Sequence, residues 1–278
     1  MRLPKRVIII GGTHGNEWTG ITIIKHYQDE IKKKFPHLDL EFVFGNPEAY
    51  QLKKRFKDED LNRASQFLNE NRSSYENRRA KDIKKIIEKE NCVVIDLHTT
   101  TSNMGKTLII STDKTENLLL SGLIQKNAPD TKILLAQDPK KKYLISQSEF
   151  GIMIEVGPVA NNVIEAEILE GTLYLLFCAL RHIDDFNPNL NEIEIFEEVE
   201  DVYYPQDQKG DLSAYIHSEL SQKDFTKLGQ RFKAFKGFNG QEINHTTSEE
   251  LYPIFINEAA YYHSKLAFSL CRKTIKKL

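Results

Sequence analysis

Hydrophobic residues along this chain fall into short runs separated by charged, amphipathic stretches, and that alternation sets the fold class. Residues 7–10, Val-Ile-Ile-Ile, form a continuous β-branched run ending in Gly11-Gly12, the pattern of a strand buried on both faces of a mostly parallel sheet. From 20 to 34, Ile21, Ile24 and Tyr27 recur at helical spacing, and 38–44 then alternates Leu38, Leu40, Phe42 and Phe44 with polar or smaller partners. Strand, helix, strand opens a βαβ arrangement. Residues 74–90 are highly charged but keep Ala80, Ile83 and Ile86-Ile87 on one face, predicting an amphipathic helix. Further strands are predicted at 92–95, which runs out at Asp96-Leu97-His98, and at 107–110, 133–136 and 152–156, with an amphipathic helix over 166–183. The expected fold is α/β, a mostly parallel central sheet flanked by helices.

The texture changes after Asp184-Asp185-Phe186-Asn187-Pro188-Asn189. Residues 193–199 alternate with strand period, and Gly210, Gly229, Gly237 and Gly240 punctuate short runs. This predicts a catalytic α/β domain over 1–189 and a smaller β-rich domain over 190–278 that caps the cleft. Composition fits both: 40% hydrophobic and 28% charged residues are ordinary for a globular protein. Lysines are interleaved with acids, as in Lys57-Asp58-Glu59-Asp60, and the formal net charge is only -2, so no nucleic-acid partner is expected. The leading apolar run is too short for a signal peptide, and no stretch approaches the roughly 20 apolar residues of a membrane span. Cys92, Cys178 and Cys271 are odd in number and set among apolar residues, which predicts buried reduced thiols and a cytoplasmic protein. Nothing here fixes the oligomeric state, and a homo-oligomer is left open.

Candidate chemistry sits where buried strands end, the place at which ligands gather in open α/β sheets. His14 and Glu17 follow the first strand across a glycine-rich turn, with a spacing that lets an imidazole and a carboxylate converge on one ion. His98 ends another buried strand. Two His and one carboxylate are a set that catalytic zinc prefers, with a fourth position left for water, although iron or cobalt suits the same ligands. Asp96 stands two residues away, able to orient a ligand. Glu155 ends the apolar run Gly151-Ile152-Met153-Ile154, so its carboxylate must be paired, solvated in a cleft or shifted in pKa. Asp60-Leu61-Asn62-Arg63 follows a charged loop containing Arg55, and an arginine fork suits an anionic substrate group. His26, His37, His182, His217 and His245 lack such settings and read as surface or capping residues, as does His263 in an expected helix.

Together these motifs resemble the aspartoacylase and succinylglutamate desuccinylase family, itself related to zinc carboxypeptidases. The resemblance rests on Gly11-Gly12-Thr13-His14-Gly15-Asn16-Glu17, Asp60-Leu61-Asn62-Arg63, Asp96-Leu97-His98-Thr99-Thr100-Thr101-Ser102-Asn103-Met104-Gly105 and Glu155-Val156-Gly157-Pro158, in family order. It continues through Tyr204-Pro205 and Asn257-Glu258-Ala259-Ala260-Tyr261-Tyr262. It implies one zinc ion per subunit on His14, Glu17 and His98, Glu155 as proton shuttle and Arg55 polarising the scissile carbonyl. Asn62 and Arg63 would bind a substrate carboxylate, with Tyr143 and Tyr261 lining the pocket. The implied substrate is a small N-acyl amino acid, first N-acetyl-L-aspartate; N-succinylglutamate and N-acetyl aromatic amino acids are the alternatives. A metal-binding protein without turnover would share the ligands, but would have no need of Glu155 and both loop arginines. One departure concerns Ser146-Gln147-Ser148-Glu149-Phe150, which contains no arginine where the family's aspartoacylases carry one. The run Lys140-Lys141-Lys142 is the nearest source of a replacement cation.

Overall fold

A computed structural model describes residues 2–64, 73–138 and 142–278. Strand β1 (Arg6–Gly11) is buried along its whole length. Val7 and Ile9 pack into one core and Ile8 and Ile10 into another on the opposite face, which is why the run is apolar without alternation. The single helix expected from residue 20 begins earlier and divides in two, α1 (Trp18–His26) and α2 (Gln28–Lys34). Gly20 lies inside α1, where its carbonyl oxygen would stand 2.4 Å from any Cβ placed on Gly11. At Tyr27 the backbone reaches ψ -5°, and in the otherwise polar and charged α2 only Ile31 is buried to hold a common axis.

Strand β2 (Asp39–Phe44) pairs parallel with β1. Two short helices follow, α3 (Pro47–Gln51), capped by the Asn46 side chain, and α4 (Leu61–Ala64). Helix α5 (Tyr75–Glu88) starts at the expected place because the Ser74 hydroxyl accepts the Asn77 N–H, and it buries Ala80, Ile83 and Ile87. Strands β3 (Val93–Thr99) and β4 (Gly105–Ile110) come next. Helix α6 (Thr115–Asn127) escapes the periodicity reading because its leucines are buried around most of its circumference. Strands β5 (Lys132–Leu135) and β6 (Phe150–Gly157) then precede α7 (Ala166–Asp184).

The remaining elements are β7 (Glu192–Tyr203), β8 (Ala214–Ile216), β9 (Arg231–Gly237), β10 (Glu242–Thr246), β11 (Tyr252–Ile254) and β12 (Leu266–Lys277). Nine strands form one sheet in the order β11-β12-β7-β5-β4-β6-β3-β1-β2. Most neighbours are parallel, but β4 runs antiparallel to β6, and β12 runs antiparallel to both of its neighbours, β7 and β11. The change of texture near residue 190 is therefore crossed by the main sheet, since Leu134 and Leu135 of β5 pair with Phe196 and Glu197 of β7. A separate three-stranded sheet, β10-β9-β8, packs on a third core containing Tyr204, Phe235 and Phe268. All three cysteines are free and buried, as expected. Among the described residues no helix is long and apolar enough to cross a membrane.

The segment between β8 and β9 places Asp224 against the β11–β12 connection, where one carboxylate oxygen accepts the Ile256 N–H at 3.0 Å and the other has no hydrogen-bond partner among the described residues. Burial pushes this carboxyl up to about 6, partly opposed by that backbone donor. A raised carboxyl disfavours the charged folded state, so its cost is absent near pH 4 and fully present above pH 6. Asp224→Asn is accordingly expected to stabilise the protein by about 1 to 2 kcal/mol at pH 8, allowing for partial solvation. The gain should vanish towards pH 4 in paired denaturant titrations; a gap independent of pH would contradict this account.

Candidate active site

Three strand ends build the site. After β1, Gly12 adopts φ +74°, a conformation open to glycine, and turns the chain so that His14 points back over the sheet. Gly15 lets the turn press against α3, since a Cβ there would meet the Ala49 carbonyl carbon at 2.3 Å. Glu17 is the N-cap residue of α1 but makes no capping hydrogen bond, which leaves its carboxylate to the site. His98 lies near the end of β3, directly opposite Glu155 on β6 in the ladder.

His14, Glu17 and His98 are all buried and each offers a ligand atom within 4.8 Å of the others. Glu17 Oε1 is 2.5 Å from His14 Nδ1 and its Oε2 is 3.0 Å from His98 Nδ1. Thr99 N–H also donates to Glu17 Oε2 at 3.1 Å. Burial opposes ionisation of Glu17, but the two imidazoles hold its carboxyl well below the usual range. Behind them, buried Asp96 accepts the Thr13 hydroxyl at 2.8 Å and approaches His98 Nε2 at 2.9 Å, the kind of carboxylate–histidine contact that orients a metal ligand. Two imidazoles and one carboxylate converging in a buried pocket fit a zinc ion by donor chemistry and by spacing.

The Arg55 loop closes one side. Arg55 donates through Nε and Nη2 to Asp60 Oδ2 at 3.1 and 3.0 Å, and through Nη1 to Glu17 at 3.3 Å. Asp60 also lies 3.2 Å from His14 Nε2. Asp60, given no role in the sequence reading, thus joins the arginine fork to the cluster of His14, Glu17 and His98. Asn62 is buried, and its side-chain oxygen is committed to the Leu144 N–H. Arg63 lies over the Tyr143 ring at 4.5 Å from its centroid, and its Nη1 has no partner among the described residues. Glu155 is 6% exposed. Burial, opposed by His98 and reinforced by Glu17 and Glu258, pushes its carboxyl up to about 8.

These side chains line a cavity of about 510 Å³ between the α/β part and the C-terminal part. All nine residues given site roles from the sequence line it: His14, Glu17, Arg55, Asn62, Arg63, His98, Tyr143 and Glu155, with Tyr261 from the other side. Tyr261 belongs to a 3-10 helix, Ala259–Ser264, rather than to an α-helix. His263 in the same helix is exposed, as expected, and also lines the cavity. His217 is also buried; its ring accepts the Glu219 N–H at 3.2 Å, which keeps the capping role and corrects the surface one.

Glu258 is a further residue with no role in the sequence reading. It is buried, caps the Ala259–Ser264 turn through the Ala260 N–H, and accepts hydrogen bonds from Thr101 N, Ser102 N and the Thr100 hydroxyl. This carboxylate clasps the loop after β3 to the segment carrying Tyr261. On β7 the register shifts at Val199, so that Cys271 pairs with Glu198 and Leu270 with Glu200. The resulting bulge turns Glu198 and Asp201 to the cavity side together. Gln147 donates to the Tyr143 carbonyl at 3.3 Å and is not among the residues lining the cavity. Lys142 does line it; Lys140 and Lys141 lie outside the described residues.

Residues 4–183 match the succinylglutamate desuccinylase/aspartoacylase catalytic domain, and residues 191–273 match the AstE/AspA barrel-sandwich hybrid domain. The chain is 35% identical to a probable aspartoacylase of Nostoc sp., over 99% of this chain and 98% of that one. It is 36% identical to an N-acyl-aromatic-L-amino acid amidohydrolase (carboxylate-forming) of Xenopus tropicalis, covering 97% and 93%. The crystal structure of murine aminoacylase 3 superposes with a TM-score of 0.91 at 29% identity, covering 99% of this chain and 98% of that one. A succinylglutamate desuccinylase from Chromobacterium violaceum shares the fold, with a TM-score of 0.68 at 16% identity over 98% and 86% of the two chains. The chain belongs to the succinylglutamate desuccinylase/aspartoacylase family.

Proposed function

We propose that this protein is a zinc-dependent amidohydrolase that cleaves the acyl group from an N-acyl amino acid, N-acetyl-L-aspartate being the substrate implied by the resemblance. The observation that carries the reading is the convergence of His14, Glu17 and His98 within 4.8 Å, in one cavity with Glu155 and two arginines. Zinc on these ligands supplies Lewis-acid polarisation and a water acidic enough to react near neutral pH. Glu155 takes the proton of the attacking water and passes it to the amine as the amide C–N bond breaks. Arg55, fixed by Asp60, faces the acyl carbonyl and stabilises the oxyanion. The unpartnered Nη1 of Arg63 receives the α-carboxylate. Tyr261 closes the cavity from the C-terminal side. A cytoplasmic site of action accords with three free thiols.

A second reading concerns the side chain of the substrate alone. Ile109, Leu134, Ala136, Ile145, Met153 and Phe255 line the cavity from one apolar cluster, and the acidic side chains of Glu198 and Asp201 line it too. Once Arg55 and Arg63 are assigned, Lys142 is the cation left among the described lining residues. That environment favours an apolar or aromatic side chain over a second carboxylate. Metal-quantified protein assayed on N-acetyl-L-aspartate, N-succinyl-L-glutamate and N-acetyl-L-tyrosine separates the readings. Preference for N-acetyl-L-tyrosine by about tenfold, or roughly 1.4 kcal/mol, would select the apolar reading. Fully zinc-loaded protein that hydrolyses no N-acyl amino acid would overturn both.

A further inference from the structure

Glu76 is fully buried at the start of α5 and is not among the residues lining the cavity, so the reaction makes no direct use of it. Its carboxylate accepts four hydrogen bonds among the described residues, all from neutral N–H groups. Oε1 takes Asn46 Nδ2 at 3.0 Å and Lys57 N at 2.7 Å; Oε2 takes Asp58 N at 3.0 Å and Glu59 N at 3.3 Å. Three of those donors are consecutive backbone groups, so the chain wraps around the carboxylate. The grip is reciprocal. Tyr75 N–H donates to Asp58 Oδ2 at 2.7 Å, and the Ser74 hydroxyl donates to the Glu59 carboxylate.

A buried carboxylate with no ion pair among the described residues is a costly group to place at the start of a helix. What it holds explains its presence. The segment 52–60 has no helix or strand of its own. Two residues before the latch stands Arg55, and directly after it stands Asp60, which fixes the Arg55 fork and touches His14; Asn62 and Arg63 follow. A displacement of about 1 Å in such a group is enough to cost roughly a hundredfold in rate.

We propose that Glu76 is a positioning residue: it latches the backbone of Lys57, Asp58 and Glu59 to α5 and thereby sets Arg55 against the scissile carbonyl. The link to Arg55 rests on the functional reading above, whereas the latch itself does not. Zinc-loaded parent and Glu76→Gln proteins are therefore compared first by amide hydrogen exchange, since glutamine turns an amide group towards two N–H donors and breaks half of the grip. Exchange at Lys57, Asp58 and Glu59 is expected to rise at least about tenfold while the sheet stays protected. The second measurement is a double-mutant cycle with Arg55→Ala. Glu76→Gln is expected to lower kcat/KM about 10- to 100-fold in the parent and less than about threefold when Arg55 is already gone.

Unchanged exchange in this segment overturns the latch, and an equal loss of activity in both backgrounds overturns its action through Arg55. Should Glu76→Gln fail to fold, Asp58→Ala removes the bond from Tyr75 at an exposed position and must show the same dependence on Arg55 with a smaller effect. If the parent hydrolyses no N-acyl amino acid, the functional reading fails and the exchange data still decide the latch.

Discussion

Replacing Glu155 by glutamine is expected to lower kcat by about 10²- to 10⁴-fold, the range for loss of a positioned general acid/base, with KM and zinc content close to those of the parent. Glutamine fills the same volume and keeps a polar tip, but it cannot accept the proton of the attacking water or return one to the leaving amine. Glu155 lies across the ladder from His98 and shares the cavity with Arg55 and Tyr261. The split between kcat and KM matters, because a group that acts only during the reaction lowers kcat without loosening the ground-state complex. Steady-state kinetics on metal-quantified protein read it directly. A variant with zinc bound and parental turnover would remove Glu155 from the role assigned to it.

Removing the metal is expected to have an effect at least as large. Chelation should reduce turnover by about 10³-fold or more, and readdition of one zinc per chain should restore it. His98→Ala should lose both metal and activity and should not recover with added zinc at that stoichiometry. Asp96→Asn, which keeps the shape beside His98, should weaken metal affinity by about 10- to 100-fold. Metal content by elemental analysis beside the rate of hydrolysis checks all three. Metal-free protein working at the parental rate would abolish the reading of the site.

Much of this arrangement was legible from residue patterns because it is local. A β-branched run bounded by two glycines can be a buried strand, and a histidine at its end falls at the carboxyl edge of the sheet. Strand-end logic alone located His14, Glu17, His98 and Glu155. The unread features depend on partners far along the chain. Glu258 satisfies donors more than 150 residues away, at Thr101 and Ser102, and nothing near it in sequence announces that. Asp201 reaches the cavity through a one-residue register shift, which alternation cannot reveal because a slip of one residue reverses the face of every later side chain. Helix α6 was missed for the opposite reason: buried nearly all round, it has no polar stripe to set its period. The antiparallel placement of β4 between β5 and β6 follows from how the strands are connected, not from their composition.

The pairing of β5 with β7 carries a consequence for how such a protein can be divided. Its two family segments meet near residue 190, and a cut there looks natural on the sequence. In the sheet, however, Leu134 and Leu135 lie between β4 and a strand from beyond that cut. Severing the chain would turn an interior strand into an open border of unmet N–H and C=O groups, flanked by buried leucines and isoleucines. Such borders recruit other chains. The fragment 1–189 thus holds six of the nine described strands of an unfinished sheet, and the C-terminal segment belongs to the fold as much as to the pocket.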